Sequence, residues 1–187
     1  MNFYTGRYAC NWTERYEVIL SMHDNNIVLI GMPGAGKTTV GMLLSKTLEM
    51  PFIDTDNIIR EREGSSLQDI LNEKGLKAFM EIEEAAVMSL DTTNHVIATG
   101  GSVVYSRNAM HHLKSRGKII YLQLNYRNLD KRIKNMSTRG IARNESQTLL
   151  DIYKERVPLY KKYADITIHC AGKHKSRIVE EIIKKLS

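Results

Sequence analysis

The apolar run Ile27-Val28-Leu29-Ile30 is followed at once by a glycine-rich turn, and then by apolar positions at helical spacing as far as Leu48. A short unbroken apolar run before a turn suits a strand buried on both faces. The arrangement recurs along the chain. Phe52-Ile53 ends in Asp54-Thr55-Asp56, the run from His95 to Ala98 ends at Gly100-Gly101, and further short runs span Ile119 to Leu124 and Asp165 to His169. Helical patterns lie between them, clearest in Phe79, Ile82, Ala86 and Leu90, with Gly64-Ser65-Ser66 and Gly75 as breaks. Strands alternating with helices predict parallel strands joined by crossover helices. The expected fold is therefore α/β, with three α/β/α layers around a five-stranded parallel sheet. Such sheets bind ligands at the carboxyl ends of their strands, and the groups at Gly31, Asp54 and Gly100 each follow a strand directly.

Two stretches stand apart. Residues 1 to 25 are rich in Tyr, Trp and Asn without a clear period, and read as an extension preceding one domain over residues 26 to 187, with Met22 as an alternative start. Asn135 to Ser146 is polar and turn-like with few apolar anchors, which predicts a mobile lid near residues 135 to 150.

Composition narrows the function. The chain has 187 residues, which suits a single domain, and its 42% hydrophobic and 26% charged content is ordinary for a globular protein. No apolar run approaches the roughly 20 residues of a membrane-spanning helix, and the N-terminus does not read as a secretion signal. Cys10 and Cys170 match no zinc or redox spacing, so both are expected to be reduced thiols in a cytoplasmic protein. The net charge of +6 is scattered among interleaved acids, with no basic stripe carrying aromatic residues. That argues against nucleic acid as a partner and suits a protein handling a polyphosphate nucleotide and an anionic substrate. His111 and His112 read as surface residues of a helix.

Gly31-Met32-Pro33-Gly34-Ala35-Gly36-Lys37-Thr38 fits the phosphate-loop pattern G-x-x-x-x-G-K-S/T, placed between a strand and a helix as that motif requires. Small residues let the backbone wrap a phosphate so that successive N–H groups point inward, and the following helix adds its positive end. Gly34, Ala35, Gly36, Lys37, Thr38 and Thr39 are the expected ATP-binding residues. Lys37 reaches the β- and γ-phosphates, and the Thr38 hydroxyl can bind Mg²⁺. Asp54 and Asp56 lie two apart in an extended segment, so their side chains lean to the same side. One carboxylate can hold Mg²⁺ through water while the other takes a proton from an attacking hydroxyl. The competing reading is that one of them caps a helix starting near Asn57.

An ordered set of separated matches resembles the shikimate kinase family, from about Ile27 to the C-terminus. After the phosphate loop come Phe52-Ile53-Asp54-Thr55-Asp56, then Gly75, Phe79 and Glu83 where the family shows G-E-x-x-F-R-x-x-E. Ala98-Thr99-Gly100-Gly101 stands at the family's triple glycine, and Glu155-Arg156-Val157-Pro158-Leu159-Tyr160 at its R-x-P-L-Y segment. The resemblance implies that ATP phosphorylates a ring hydroxyl of shikimate, with Mg²⁺ as cofactor and a monomer as the working unit. It implies that Asp56 binds the substrate hydroxyls and acts as base, that Asp54 positions Mg²⁺ with Thr38, and that Gly100 and Gly101 line the substrate. Arg156 would bind the substrate carboxylate. Arg139 matches the lid arginine that bridges the phosphates, making Lys37, Asp56 and Arg139 the catalytic set. Arg132 and Lys173 fall near the adenine.

Three positions depart from the family. Met80 replaces the arginine of the F-R pair, which helps clamp the substrate carboxylate; Lys77, three residues earlier on nearly the same helix face, is a candidate substitute. Ser102 replaces the third glycine. Gly140 replaces the proline of the lid's R-P-L-L. These departures leave room for another small hydroxylated acceptor, such as a sugar acid or a nucleoside monophosphate. They also leave room for a nucleotide-binding module without activity, although such a module has no need of both Asp54 and Asp56. A nucleic-acid-dependent NTPase is a further alternative, to be recognised by salt-dependent binding to DNA or RNA.

Overall fold

In the computed structural model, which describes residues 12–21, 25–133, 140–144 and 146–187, the five apolar runs are five strands. They are β1 (Asn26–Ile30), β2 (Phe52–Asp54), β3 (Val96–Ala98), β4 (Gly117–Gln123) and β5 (Ile166–His169). All pair in parallel, in the order β2-β3-β1-β4-β5. β1 is central, with Val28 opposite Ile97 on one side and Ile119 on the other. That position explains its unbroken apolar run: Ile27 through Ile30 are wholly buried, since both faces of the strand are covered.

The helices are α1 (Trp12–Ser21), α2 (Lys37–Leu48), α3 (Thr55–Glu63), α4 (Leu67–Met88), α5 (Arg107–Ser115), α6 (Tyr126–Arg132), α7 (Leu149–Tyr163) and α8 (Lys175–Leu186), with a 3₁₀ turn at Val103–Tyr105. α2 packs on α8 and α4 on α5, giving the two helical layers around the sheet. α4 is broken at Gly75, as its glycine predicts, where φ is 78° and ψ 172°. Ile59, Leu67, Ile70 and Phe79 form a small core of their own under α3 and α4, apart from the main core. α3 and α4 thus rest on a separate apolar support.

Within the expected extension, α1 lies against α8 and α2. Val18 is fully buried, and the Arg15 guanidinium donates to Thr47 O and stands 3.9 Å from Glu49. The helix escaped the pattern reading because it spans only ten residues. No helix among the described residues is long and apolar enough to cross a membrane. Of the expected lid, residues 134–139 and 145 lie outside the described residues, and 140–144 carry no regular structure.

The start of the sheet is held by one buried side chain. Asn26 Nδ2 donates to Thr92 O at 2.7 Å, and Asn26 Oδ1 accepts from His95 N at 3.0 Å. Asn26→Ala leaves both backbone groups without these partners. It should lower the unfolding free energy by about 1–3 kcal/mol, read as a reduced urea midpoint with unchanged slope.

Candidate active site

The turn after β1 is shaped by its glycines. Gly36, which precedes α2, has φ of 100°, a conformation costly for any residue with a Cβ. The Lys37 ammonium donates back to Gly31 O at 2.8 Å and Met32 O at 3.1 Å, so it sits inside the loop. Burial pulls its pKa below the ordinary lysine value, against the raising effect of Asp56, Asp54 and Glu83. The loop leads into the amino end of α2, the positive end of that helix.

Asp54 joins this loop to the next element. The Thr38 hydroxyl donates to Asp54 Oδ2 at 2.7 Å, while Asp54 Oδ1 accepts from Asp56 N at 3.0 Å and caps α3. The capping reading holds for Asp54 and leaves room for the metal reading, since the cap uses Oδ1 and Oδ2 faces Thr38. α3 begins at Thr55, two residues before the expected start at Asn57. The cap turns Asp56 into the first helical turn, where it faces a cleft of about 460 Å³. Burial raises the Asp56 pKa above the ordinary carboxylate value, and the Asp54 charge adds to the effect.

Across the cleft lies the strap after β3. Gly100 N–H donates to Thr55 Oγ1 at 3.1 Å, fastening the strap to α3. A Cβ at Gly100 would lie 1.8 Å from Glu83 Oε1 and 3.1 Å from Asp56 Oδ1, so two carboxylates converge on this glycine. Glu83 is 3% exposed, and burial pushes its carboxyl up to about 7. Arg156, on α7 and 1% exposed, closes the far end. Its Nε donates to Tyr105 Oη at 3.2 Å, its Nη2 donates to Ala142 O, and its plane lies over the Tyr105 ring. Nη1 lies toward Gly101, 3.2 Å from where that residue's Cβ would stand. One turn after Arg156, the Tyr160 hydroxyl donates to Gly101 O at 2.6 Å, and its ring stacks on Tyr121.

Comparison with known proteins agrees with this geometry. The shikimate kinase family profile matches residues 33–187. The chain belongs to the shikimate kinase family. The shikimate kinase of Sulfurihydrogenibium sp. is 33% identical over 162 residues, covering 86% of this chain and 97% of that protein. That of Syntrophus aciditrophicus is 37% identical over 177 residues, covering 87% and 91%. The solved structure of shikimate kinase from Acinetobacter baumannii in complex with shikimate has a TM-score of 0.80 at 30% identity, covering 90% of this chain and 96% of that one.

Most of the residues singled out by the family resemblance come together in the cleft. Gly34, Gly36, Lys37, Thr38 and Thr39 line its nucleotide side; Asp56, Gly100, Gly101 and Arg156 line its acceptor side. Arg132 also lines it, with Nη1 3.4 Å from Gly34 O. Ala35 is buried beneath the loop, where its N–H donates to Met32 O at 3.0 Å. Lys173 does not line the cleft and pairs with Glu181, although it stands near enough to Cys170 to act, with Arg132, against the rise that burial gives that thiol. Arg139 lies outside the described residues. The Gly100 N–H donates to Thr55, and what Gly100 contributes to the cleft is the space it leaves.

The departures find physical reasons. Gly140 has φ of 58°, which proline cannot adopt, and its N–H donates to Gln68 Oε1 at 3.0 Å. This docks Ile141 and Ala142 into the cleft wall. Lys77 does not replace the missing arginine: its side chain is 93% exposed and lies 4.0 Å from Glu81. Phe79 and Glu83, four residues apart, take the cleft-facing side of α4, and neither Met80 nor Lys77 lines the cleft. The sequence reading gave no role to Glu83 or Tyr105. A glutamate on the same helical face as buried Phe79 was the available signal for the first.

Gly100→Ala drives a methyl group into Glu83 Oε1. The expected result is a rise in acceptor KM of about tenfold or more, with nucleotide affinity retained, measured by steady-state kinetics and by calorimetric titration with ATP.

Proposed function

We propose that this chain transfers the γ-phosphoryl group of ATP to a hydroxyl of shikimate, giving shikimate 3-phosphate and ADP. The observation that carries the reading is the placement of Asp56 between the phosphate loop and Arg156 in a single cleft. In that position a carboxylate meets the acceptor's hydroxyl while a guanidinium meets its carboxylate.

Mg²⁺ fits the oxygen donors at the mouth of the loop, where Thr38 Oγ1 and Asp54 Oδ2 stand 2.7 Å apart. Thr38 would hold the ion directly and Asp54 would position it. When bound, Mg²⁺ neutralises charge on the β- and γ-phosphates. The loop N–H groups and Lys37 hold the phosphates, and Arg132 reaches the same side. Asp56 orients the acceptor hydroxyl and takes its proton as the oxygen–phosphorus bond forms and the bond to ADP breaks. Lys37, with Arg139 from the lid, balances charge on the transferring group, where most of the catalysis lies. Closure of the lid excludes water and so limits ATP hydrolysis. A monomer is the proposed working unit. The buried free thiol of Cys170 is in keeping with a cytoplasmic setting.

Asp56 must be ionised to take the proton, and its folded-state pKa is raised by burial. Activity should therefore fall, as the pH is lowered, at a higher pH than an ordinary carboxylate would give. ADP release from MgATP should rise saturably with shikimate. In Asp56→Asn the stimulated rate should fall by about two to four orders of magnitude while ATP still binds. Tight ATP binding with no shikimate stimulation in the wild type contradicts the assignment of acceptor.

A second acceptor class is favoured by one observation. Nε and Nη2 of Arg156 are already engaged within the protein, and Met80 brings no second guanidinium. A neutral polyol would not need that second charge. Turnover of such a polyol ahead of shikimate distinguishes the two.

A further inference from the structure

On the acceptor side of the cleft, Arg156 stands without the help of a second arginine, because Met80 occupies that position and does not line the cleft. How this one guanidinium is held therefore decides what it can bind. Arginine carries a planar fork of N–H donors on a long, rotatable stem. Holding such a side chain in one conformation weakens binding unless the protein has done so beforehand. Here the fork is held along one edge. Nε donates to Tyr105 Oη at 3.2 Å, and Nη2 donates to Ala142 O. Nη1 makes no hydrogen bond among the described residues and lies toward Gly101.

The two restraints differ in their support. Ala142 belongs to the segment 140–144, which carries no regular structure. Tyr105 ends the Val103–Tyr105 turn, whose two valines are buried in the main core. Its N–H donates to Ser102 O at 3.0 Å, and the Ser106 N–H donates to Val103 O at 3.0 Å. Ser106 in turn caps α5, accepting from Ala109 N at 3.0 Å, and its hydroxyl donates to Glu84 Oε2 at 2.7 Å. The turn also packs against α7, which carries Arg156. The backbone on both sides of Tyr105 is thus fixed, and its side chain reaches Arg156 from a rigid base. Both parts of the phenol are used. The hydroxyl accepts from Nε, and the ring centre lies 5.1 Å from Cζ, within cation–π range.

We infer that Tyr105 is a positioning residue for acceptor recognition: it holds the Nε edge of Arg156, so that the Nη1 end is presented beside Gly101 to a carboxylate on the acceptor. The acceptor class that follows is an acid bound through one pre-set guanidinium in place of a pair. The inference rests on the acceptor reading given above.

Tyr105→Phe removes the hydroxyl and keeps the ring, and Tyr105→Leu removes both. Each is compared with the wild type on shikimate and on the analogue whose carboxyl is reduced to a hydroxymethyl group. In Tyr105→Phe the KM for shikimate should rise about fivefold to tenfold with the KM for ATP unchanged, and Tyr105→Leu should raise it further. The KM for the hydroxymethyl analogue should stay nearly constant, because that analogue brings no carboxylate to Nη1. A penalty of equal size on both acceptors, an equal rise in the KM for ATP, or no rise for shikimate overturns the inference. If the wild type does not turn over shikimate, the acceptor reading fails by itself. The restraint on Arg156 is then tested without an acceptor, by nitrogen-15 NMR of the arginine Nε–H groups, with the Arg156 signal assigned through Arg156→Lys. Faster exchange of that N–H with water in Tyr105→Phe supports the held guanidinium, and an unchanged rate removes it.

Discussion

One carboxylate holds the two halves of this site in register. Asp54 receives the Thr38 hydroxyl on one oxygen and the Asp56 amide on the other, at 2.7 and 3.0 Å. The first contact fixes it against the phosphate loop, and the second starts α3 and aims Asp56 into the cleft. The position of Asp56 relative to the phosphate loop follows from a short hydrogen-bonded chain rather than from a mobile loop. Precise placement of this kind is what phosphoryl transfer asks of a protein, because the reaction leaves little covalent work to do.

The acceptor side is built from buried charge, which is costly unless each group is satisfied. Arg156 meets Tyr105 and the carbonyl of Ala142, while Tyr160 holds the strap through Gly101 O. Burial raises the pKa of both Asp56 and Glu83; the Asp54 charge adds to the first and the Asp56 charge to the second. A ligand that brings hydroxyl donors to those oxygens relieves the cost.

Much of this was legible in the sequence, for reasons that differ by element. Buried parallel strands read as unbroken apolar runs, so β1 to β5 were found within a residue or two, and the functional groups at their carboxyl ends followed. The phosphate loop and the Asp54–Asp56 pair were legible because their chemistry demands fixed spacing in one short segment. What the spacing could not show was contact across the fold. It left the capping and metal readings of Asp54 as rivals, when the cap takes only one of its two oxygens. It placed Lys77 near the position of the absent arginine, whereas the helix turns Lys77 to solvent. It gave no role to Glu83, which reaches the cleft only when α4 folds against the strap. Gly140 shows the reverse case, in which a departure from the family pattern is explained by a φ that proline cannot reach.

The account claims that the cleft directs the γ-phosphoryl group to an acceptor hydroxyl and away from water. Phosphorus-31 NMR of wild-type protein incubated with MgATP and shikimate measures this partition directly. The account predicts a phosphate monoester resonance of shikimate growing in step with ADP, with little inorganic phosphate. ADP accompanied only by inorganic phosphate would contradict it, because the carboxylates would then not be holding an acceptor in place.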